Sequence, residues 1–223
     1  MSWTHGTLAV KFDSRRGKTA RRGQLLPRSK AWFAVSVLAS TAASLSSAED
    51  LRSPGSFSST GNQAERSRAI FIEAGRVFQH PRCLNCHPAA ERPTQGEDLH
   101  PHSPLVVRGL DDRGAPALRC TTCHGAANFA PSGVPGHPLW HMAPGEMAWQ
   151  GKSLAQICEQ IKDPQHNGGR TLAQIHEHVA HDSLVGWAWR PGGSRKPAPG
   201  TQEAFGALVA AWIESGAACP VDH

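Results

Sequence analysis

Apolar residues along this chain recur mostly at helical spacing. Ile70, Ala74, Val77 and Phe78 predict a short helix over 66–80 that ends at Pro81, just before Cys83. Ser153 is placed as an N-cap, with Leu154, Ile157, Cys158 and Ile161 forming the apolar face behind it. Asn167-Gly168-Gly169 reads as a turn, and Thr171 caps a further helix bearing Leu172, Ile175 and Val179. After a proline- and glycine-rich loop at 191–200, Phe205, Leu208, Val209, Trp212 and Ile213 fit the stripe of a last helix over 202–216. Between these elements, 88–119 and 125–146 are rich in Pro, Gly, Asp and His without clear periodicity, so they read as loops, and no convincing strand pair is present.

The expectation is an all-α, compact domain with long loops. Four short helices bury too little apolar surface to offset the chain entropy of so much loop, so something besides side chains must fill the core.

Two segments precede the patterned region. Residues 31–45 are apolar and uncharged, follow a basic stretch, and lead into Ser46-Ser47-Ala48, with small residues before Glu49. This order is that of a secretory signal peptide over 1–48, cleaved near Ala48. The apolar run falls short of the ~20 residues a spanning helix needs, so membrane attachment is expected only where the leader stays uncleaved. Residues 49–65 are Ser-, Gly- and Pro-rich and read as a flexible linker, leaving 66–223 as the folded domain.

Charge follows the same division. The formal net charge of +5 at first suggests nucleic acid, but 1–48 carry eight Lys and Arg against Asp13 alone. The rest holds 15 basic and 17 acidic residues, near −2, so no nucleic-acid partner is expected.

Thirteen His and six Cys direct attention to metal or haem chemistry. Cys83-Leu84-Asn85-Cys86-His87 and Cys120-Thr121-Thr122-Cys123-His124 each place two thiols three residues apart and a His directly after. Such thiols can form thioethers to the two vinyl groups of a haem, and the His then lies beneath the iron as proximal ligand. A zinc ribbon is the first alternative, but the 33 residues between Cys86 and Cys120 exceed the usual ~15–20, and both pairs carry the trailing His. Disulfides within each motif, or a redox dithiol, are the second alternative. Cys158 and Cys219 remain as an even pair, expected to form a disulfide that ties down the last helix, with two buried free thiols as the other outcome.

These motifs resemble those of c-type cytochromes. In class I members a helix runs into Cys-x-x-Cys-His, a Met ligand follows on a later loop, and a C-terminal helix packs on the first. The 66–80 helix, the first motif and the 202–216 helix fit that outline. Pro144-Gly145-Glu146-Met147 is similar to the family's distal loop, one residue shorter. The resemblance implies two covalent haem c groups (iron) in one cytochrome c-like helical domain, since two complete class I units do not fit between His87 and Cys120. It implies attachment through Cys83, Cys86, Cys120 and Cys123, and proximal iron ligation by His87 and His124. Met142, Met147, His176 and His102 are the favoured distal ligands, assigned to neither haem, and His80, His100, His137, His141, His178 and His181 remain further candidates. By its angle from the apolar face, His176 is the inward histidine of the 171–182 helix. Trp140, Trp149, Trp187 and Trp189 are expected to pack around the porphyrins.

More distantly, 135–149 and Gly186-Trp187-Ala188-Trp189 resemble small exported dihaem cytochromes that partner molybdenum hydroxylases. That likeness implies a periplasmic electron carrier between a dehydrogenase or hydroxylase and a respiratory acceptor, with redox proteins as partners and no catalysis of its own. The alternative function is a haem enzyme or gas sensor with one five-coordinate iron.

Overall fold

The computed structural model describes residues 50–222; the signal peptide and its cleavage near Ala48 lie outside them. Helices dominate: α1 (Gln63–Phe78), α2 (Pro81–Leu84), α3 (Leu154–Lys162), α4 (Leu172–His181), α5 (Ser183–Gly186) and α6 (Gln202–Glu214). The helical class expected from the periodicity therefore holds.

Capping residues set most of the boundaries. Ser153 and Thr171 each accept from the backbone N–H three residues on, and Gln156 and Gln174 reciprocate, so both predicted caps are complete capping boxes. Asn62 does the same with Glu65, starting α1 three residues earlier than the apolar stripe suggests. At its other end α1 stops at Phe78. Pro81 then opens the single turn of α2, where its missing N–H costs nothing. The first motif thus begins on helix rather than after it.

The core is the face shared by α1, α6 and α4, with α6 packed against both of the others and α3 closing on α1 and α4. Phe71, Val77, Ile157, Leu208, Val209 and Trp212 are wholly buried. An aromatic series runs through it: Trp212 to Phe71 at 4.8 Å, Phe71 to Phe78 at 5.4 Å, and Phe78 edge-on to Trp149 at 5.4 Å. Gly206 permits the close crossing of α6 on α4, where a Cβ would come within 2.6 Å of the Ala180 Cβ.

Ser67 joins α1 to the end of α6. Its buried hydroxyl donates to the Trp212 carbonyl (3.2 Å) and accepts from the Ala218 N–H (3.0 Å). Ser67→Ala strips both partners in a dry site and is expected to destabilise by about 1–3 kcal/mol, read as a lower midpoint in urea with an unchanged slope. Cys158 and Cys219 form the expected disulfide, with Cα atoms 5.6 Å apart across 61 residues of sequence.

Two features depart from the sequence reading. Residues 50–62, expected as part of a flexible linker, pack onto the helices. Phe57 is 2% exposed within the core, the Arg52 guanidinium lies 4.2 Å over its ring, and the Arg52 backbone N–H donates to the buried Glu73 carboxylate. The Ser/Gly/Pro composition concealed one apolar anchor. The long loop at 88–119 also carries two minimal antiparallel ladders: β1 (Thr94–Gln95) with β2 (His100–Pro101), and β3 (Gly114–Ala115) with β4 (Leu118–Arg119). Two-residue strands leave no alternation to detect. Among the described residues, no helix is long and apolar enough to cross a membrane.

Candidate functional site

The two Cys-x-x-Cys-His segments adopt the same local arrangement in different surroundings. In the first, the His87 N–H bonds back to the Cys83 carbonyl, closing a helical turn over the motif. In the second, Cys120–Thr122 form a 3-10 turn and the His124 N–H bonds back to the Cys120 carbonyl. Each turn brings both thiols and the imidazole to one side of the chain.

Both imidazoles are then fixed in the same way. His87 Nδ1 lies 2.7 Å from the Met147 carbonyl, and His124 Nδ1 lies 2.7 Å from the Pro135 carbonyl. A carbonyl only accepts, so Nδ1 carries the proton and Nε2 keeps its lone pair. Each ring is also held flat against an indole: His87 on Trp149 at 3.5 Å and 1°, His124 on Trp140 at 4.7 Å and 13°. Burial reinforces the neutral form, holding His87 down to about 3 and His124 below its ordinary value. This is the way a ligating histidine is usually prepared, with its outer nitrogen bonded and its inner one free.

Each histidine faces its own cavity. The one at His124 measures about 500 Å³ and is lined by Cys120, Cys123, His102, Met142 and Arg195 among others. The one at His87, about 120 Å³, lies against Cys83, Met147, His178 and the core side chains Phe78, Ile175 and Phe205. Arg82, Cys86, Trp140, His141 and Trp187 line both, so the two cavities have a common wall. Trp140 and Trp187 meet there edge to face at 4.9 Å.

Searches against protein-family models, curated proteins and solved structures return no match to this chain.

The chemistry of the donors is therefore decided from the residues. The four motif cysteines are free thiols, whereas Cys158 and Cys219 are bridged. Burial lifts Cys83 to about 12 and Cys86 to about 11, so neither is a thiolate at neutral pH, which is poor preparation for a redox dithiol. Each cavity is instead lined by the two thiols of its own motif and by that motif's neutral imidazole, residues that fit a haem c, whose vinyl groups take the thiols and whose iron takes the imidazole.

Unpartnered polar atoms fit the same group. Arg82 Nε and Trp149 Nε1 are buried on the cavity walls without a hydrogen-bond partner. The Arg82 side chain is 3% exposed and is otherwise engaged with Glu97. Such donors are open to an acceptor on a bound molecule, such as a propionate, or to water. Free volume at His124 suits a large ligand, while at His87 the surrounding side chains must draw back to admit one.

The other expected residues divide clearly. Met142 and His102 line the His124 cavity, and Met147 lines the His87 cavity. His176 lines neither; its ring lies 6.2 Å from that of His181. His178 lines the His87 cavity in its place, with Nδ1 3.5 Å from Asp182. The angular estimate failed because Leu172, Ile175 and Val179 mark the direction of the core, whereas the cavity opens on one flank of it, along Ile175, His178 and Val179. His141, on the wall between cavities, also presents Nδ1 to a carbonyl, that of Leu139, at 2.5 Å.

Trp140, Trp149 and Trp187 line the cavities. Trp189 packs on the core instead, donating to the Pro199 carbonyl. Arg82 and the carbonyls of Met147 and Pro135 went unnoticed in the sequence. A backbone carbonyl carries no residue signature, but an arginine one position before a Cys-x-x-Cys-His motif was visible.

Proposed function

We propose that this protein is an exported dihaem c-type cytochrome that carries electrons. The observation that supports the reading most is the duplication of one arrangement: two Cys-x-x-Cys-His segments, each with Nδ1 on a backbone carbonyl and the ring on an indole, at cavities that share a wall.

Cys83 and Cys86 would anchor one haem c and Cys120 and Cys123 the other, with His87 and His124 as proximal ligands. When bound, these groups supply one-electron redox chemistry. The chain's residues hold the imidazoles in one tautomer, offer Arg82 and Trp149 N–H groups to acidic substituents, and surround the His87 cavity with apolar core. Burial of this kind raises the energy of a charged centre and so tunes its potential.

Met147 takes a different role from the one its resemblance to a distal loop implies. Its carbonyl holds the outer nitrogen of His87, which puts its backbone behind the proximal ring. The loop Pro144–Met147 therefore serves as the support of His87 rather than the source of a ligand to the opposite face.

The shared wall favours exchange between the two sites within one domain. Periplasmic location, and a molybdenum hydroxylase or other dehydrogenase as donor, rest on the leader and the family likeness. The reading is tested by producing the chain in a host that matures c-type cytochromes. Acid-stable haem at two per chain, with a low-spin reduced spectrum unchanged by carbon monoxide, is the expected result. Protein without covalent haem would overturn it, and carbon monoxide binding in the unaltered protein would favour the ligand-binding alternative.

A further inference from the structure

The His124 cavity contains a second imidazole prepared like the first. His102 and His124 have ring centroids 5.9 Å apart, with planes at 60°. Two imidazoles bound through Nε2 to opposite sides of one metal ion, each bond about 2 Å long, have centroids roughly 6 Å apart. His102 Nδ1 lies 3.0 Å from the Pro104 carbonyl, so it is the protonated nitrogen and Nε2 is left with its lone pair.

Its backbone is fastened from both sides. The His102 N–H donates to the Pro93 carbonyl at 2.9 Å, and its own carbonyl accepts from Arg92 Nε and Nη2 at 3.1 and 2.6 Å. Beside it, Thr94 and Gln95 of β1 pair with β2, which ends at Pro101, the residue before it. A surface histidine needs none of this support. A ligand does, because rotameric freedom left in the side chain is lost on coordination.

From this geometry we infer that His102 is the sixth ligand of the iron held by His124, giving that site two axial histidines. The inference rests on the dihaem reading and adds to it which residue closes the second site. The short ladder of β1 and β2 then has a purpose, since it carries the distal histidine across a loop of otherwise irregular chain. Met142 and His141 line the same cavity and are the competing ligands.

The test uses His102→Ala, His102→Met and Met142→Leu in the full chain, matured with haem, with Cys120→Ala/Cys123→Ala to identify which signals belong to the second site. Haem content is counted first. The ferric electron paramagnetic resonance spectrum, the near-infrared charge-transfer band and carbon monoxide binding are then recorded. His102→Ala is expected to retain two haems per chain, convert one of them to a high-spin, carbon monoxide-binding form, and recover the low-spin spectrum when imidazole is added. His102→Met is expected to acquire the near-infrared band of a Met-ligated haem, and Met142→Leu to leave all spectra unchanged. The inference is overturned if His102→Ala stays low-spin and closed to carbon monoxide, or if Met142→Leu opens the site instead. Absence of covalent haem from the unaltered protein would refute the dihaem reading itself, a different result from any of these.

Discussion

Cys83→Ala/Cys86→Ala is expected to abolish recovery of folded protein, while Cys120→Ala/Cys123→Ala yields a folded chain with one haem. The asymmetry comes from what surrounds each site. Phe78, Ile161, Ile175, Val179 and Phe205 line the His87 cavity and are at the same time members of the central core between α1, α4 and α6. Cys83 packs against that core directly. A prosthetic group attached there would contribute apolar area to the cluster that α1, α3, α4 and α6 share, and small domains with long loops have little other stability in reserve. The His124 cavity is lined largely by the loops between 93 and 142, whose side chains take little part in the core. Exported yield, far-ultraviolet circular dichroism and haem content of the two double variants check the prediction. Equal recovery of both would show that the first haem is not a structural element.

Loss of the Cys158–Cys219 bridge is the other large effect. It closes a loop spanning 61 residues of sequence and holds the segment after α6 to the inward face of α3, where Cys158 is fully buried. Loop-closure entropy for a loop of that size corresponds to about 4 kcal/mol. Cys158→Ala/Cys219→Ala is expected to lose about that much, read as a fall in the urea midpoint of the oxidised protein. The same treatment should make that variant insensitive to dithiothreitol, which lowers the midpoint of the unaltered chain. Midpoints that coincide with and without the bridge would mean that α6 is held by packing alone.

The sequence was most readable where one residue sets one boundary. Ser153 and Thr171 announced α3 and α4, and the stripe from Phe205 to Trp212 announced α6, because capping and helical periodicity are local. Phe57 was hidden by its polar neighbours, since composition averages over the single side chain that anchors a segment. In the candidate site, the two Cys-x-x-Cys-His segments were evident from spacing alone. The other cavity-lining residues were less so. His178 lies on the cavity flank of α4 while the apolar direction pointed nearer His176, and the His102 backbone is held by the Pro93 carbonyl and the Arg92 guanidinium, contacts between irregular loop segments that no periodicity encodes.

If the chain is an exported dihaem cytochrome, as proposed, its six cysteines also pose a problem of sorting. Two must oxidise together, whereas four must stay reduced until each has added to a vinyl group, and all six meet the same oxidising surroundings. Thiol–disulfide exchange proceeds through thiolate, so a thiol kept protonated by burial reacts slowly. Cys83 and Cys86 are half-buried at the edge of the helices and desolvation raises both thiols, and Cys158 has its partner within bonding distance as soon as α3 and the end of α6 come together. Closure of the helical core thus selects the correct bond and shelters the first attachment site from mispairing. Cys123, exposed at the second site, has no such shelter, so that motif depends on speed of attachment and should be where misassembled chains accumulate.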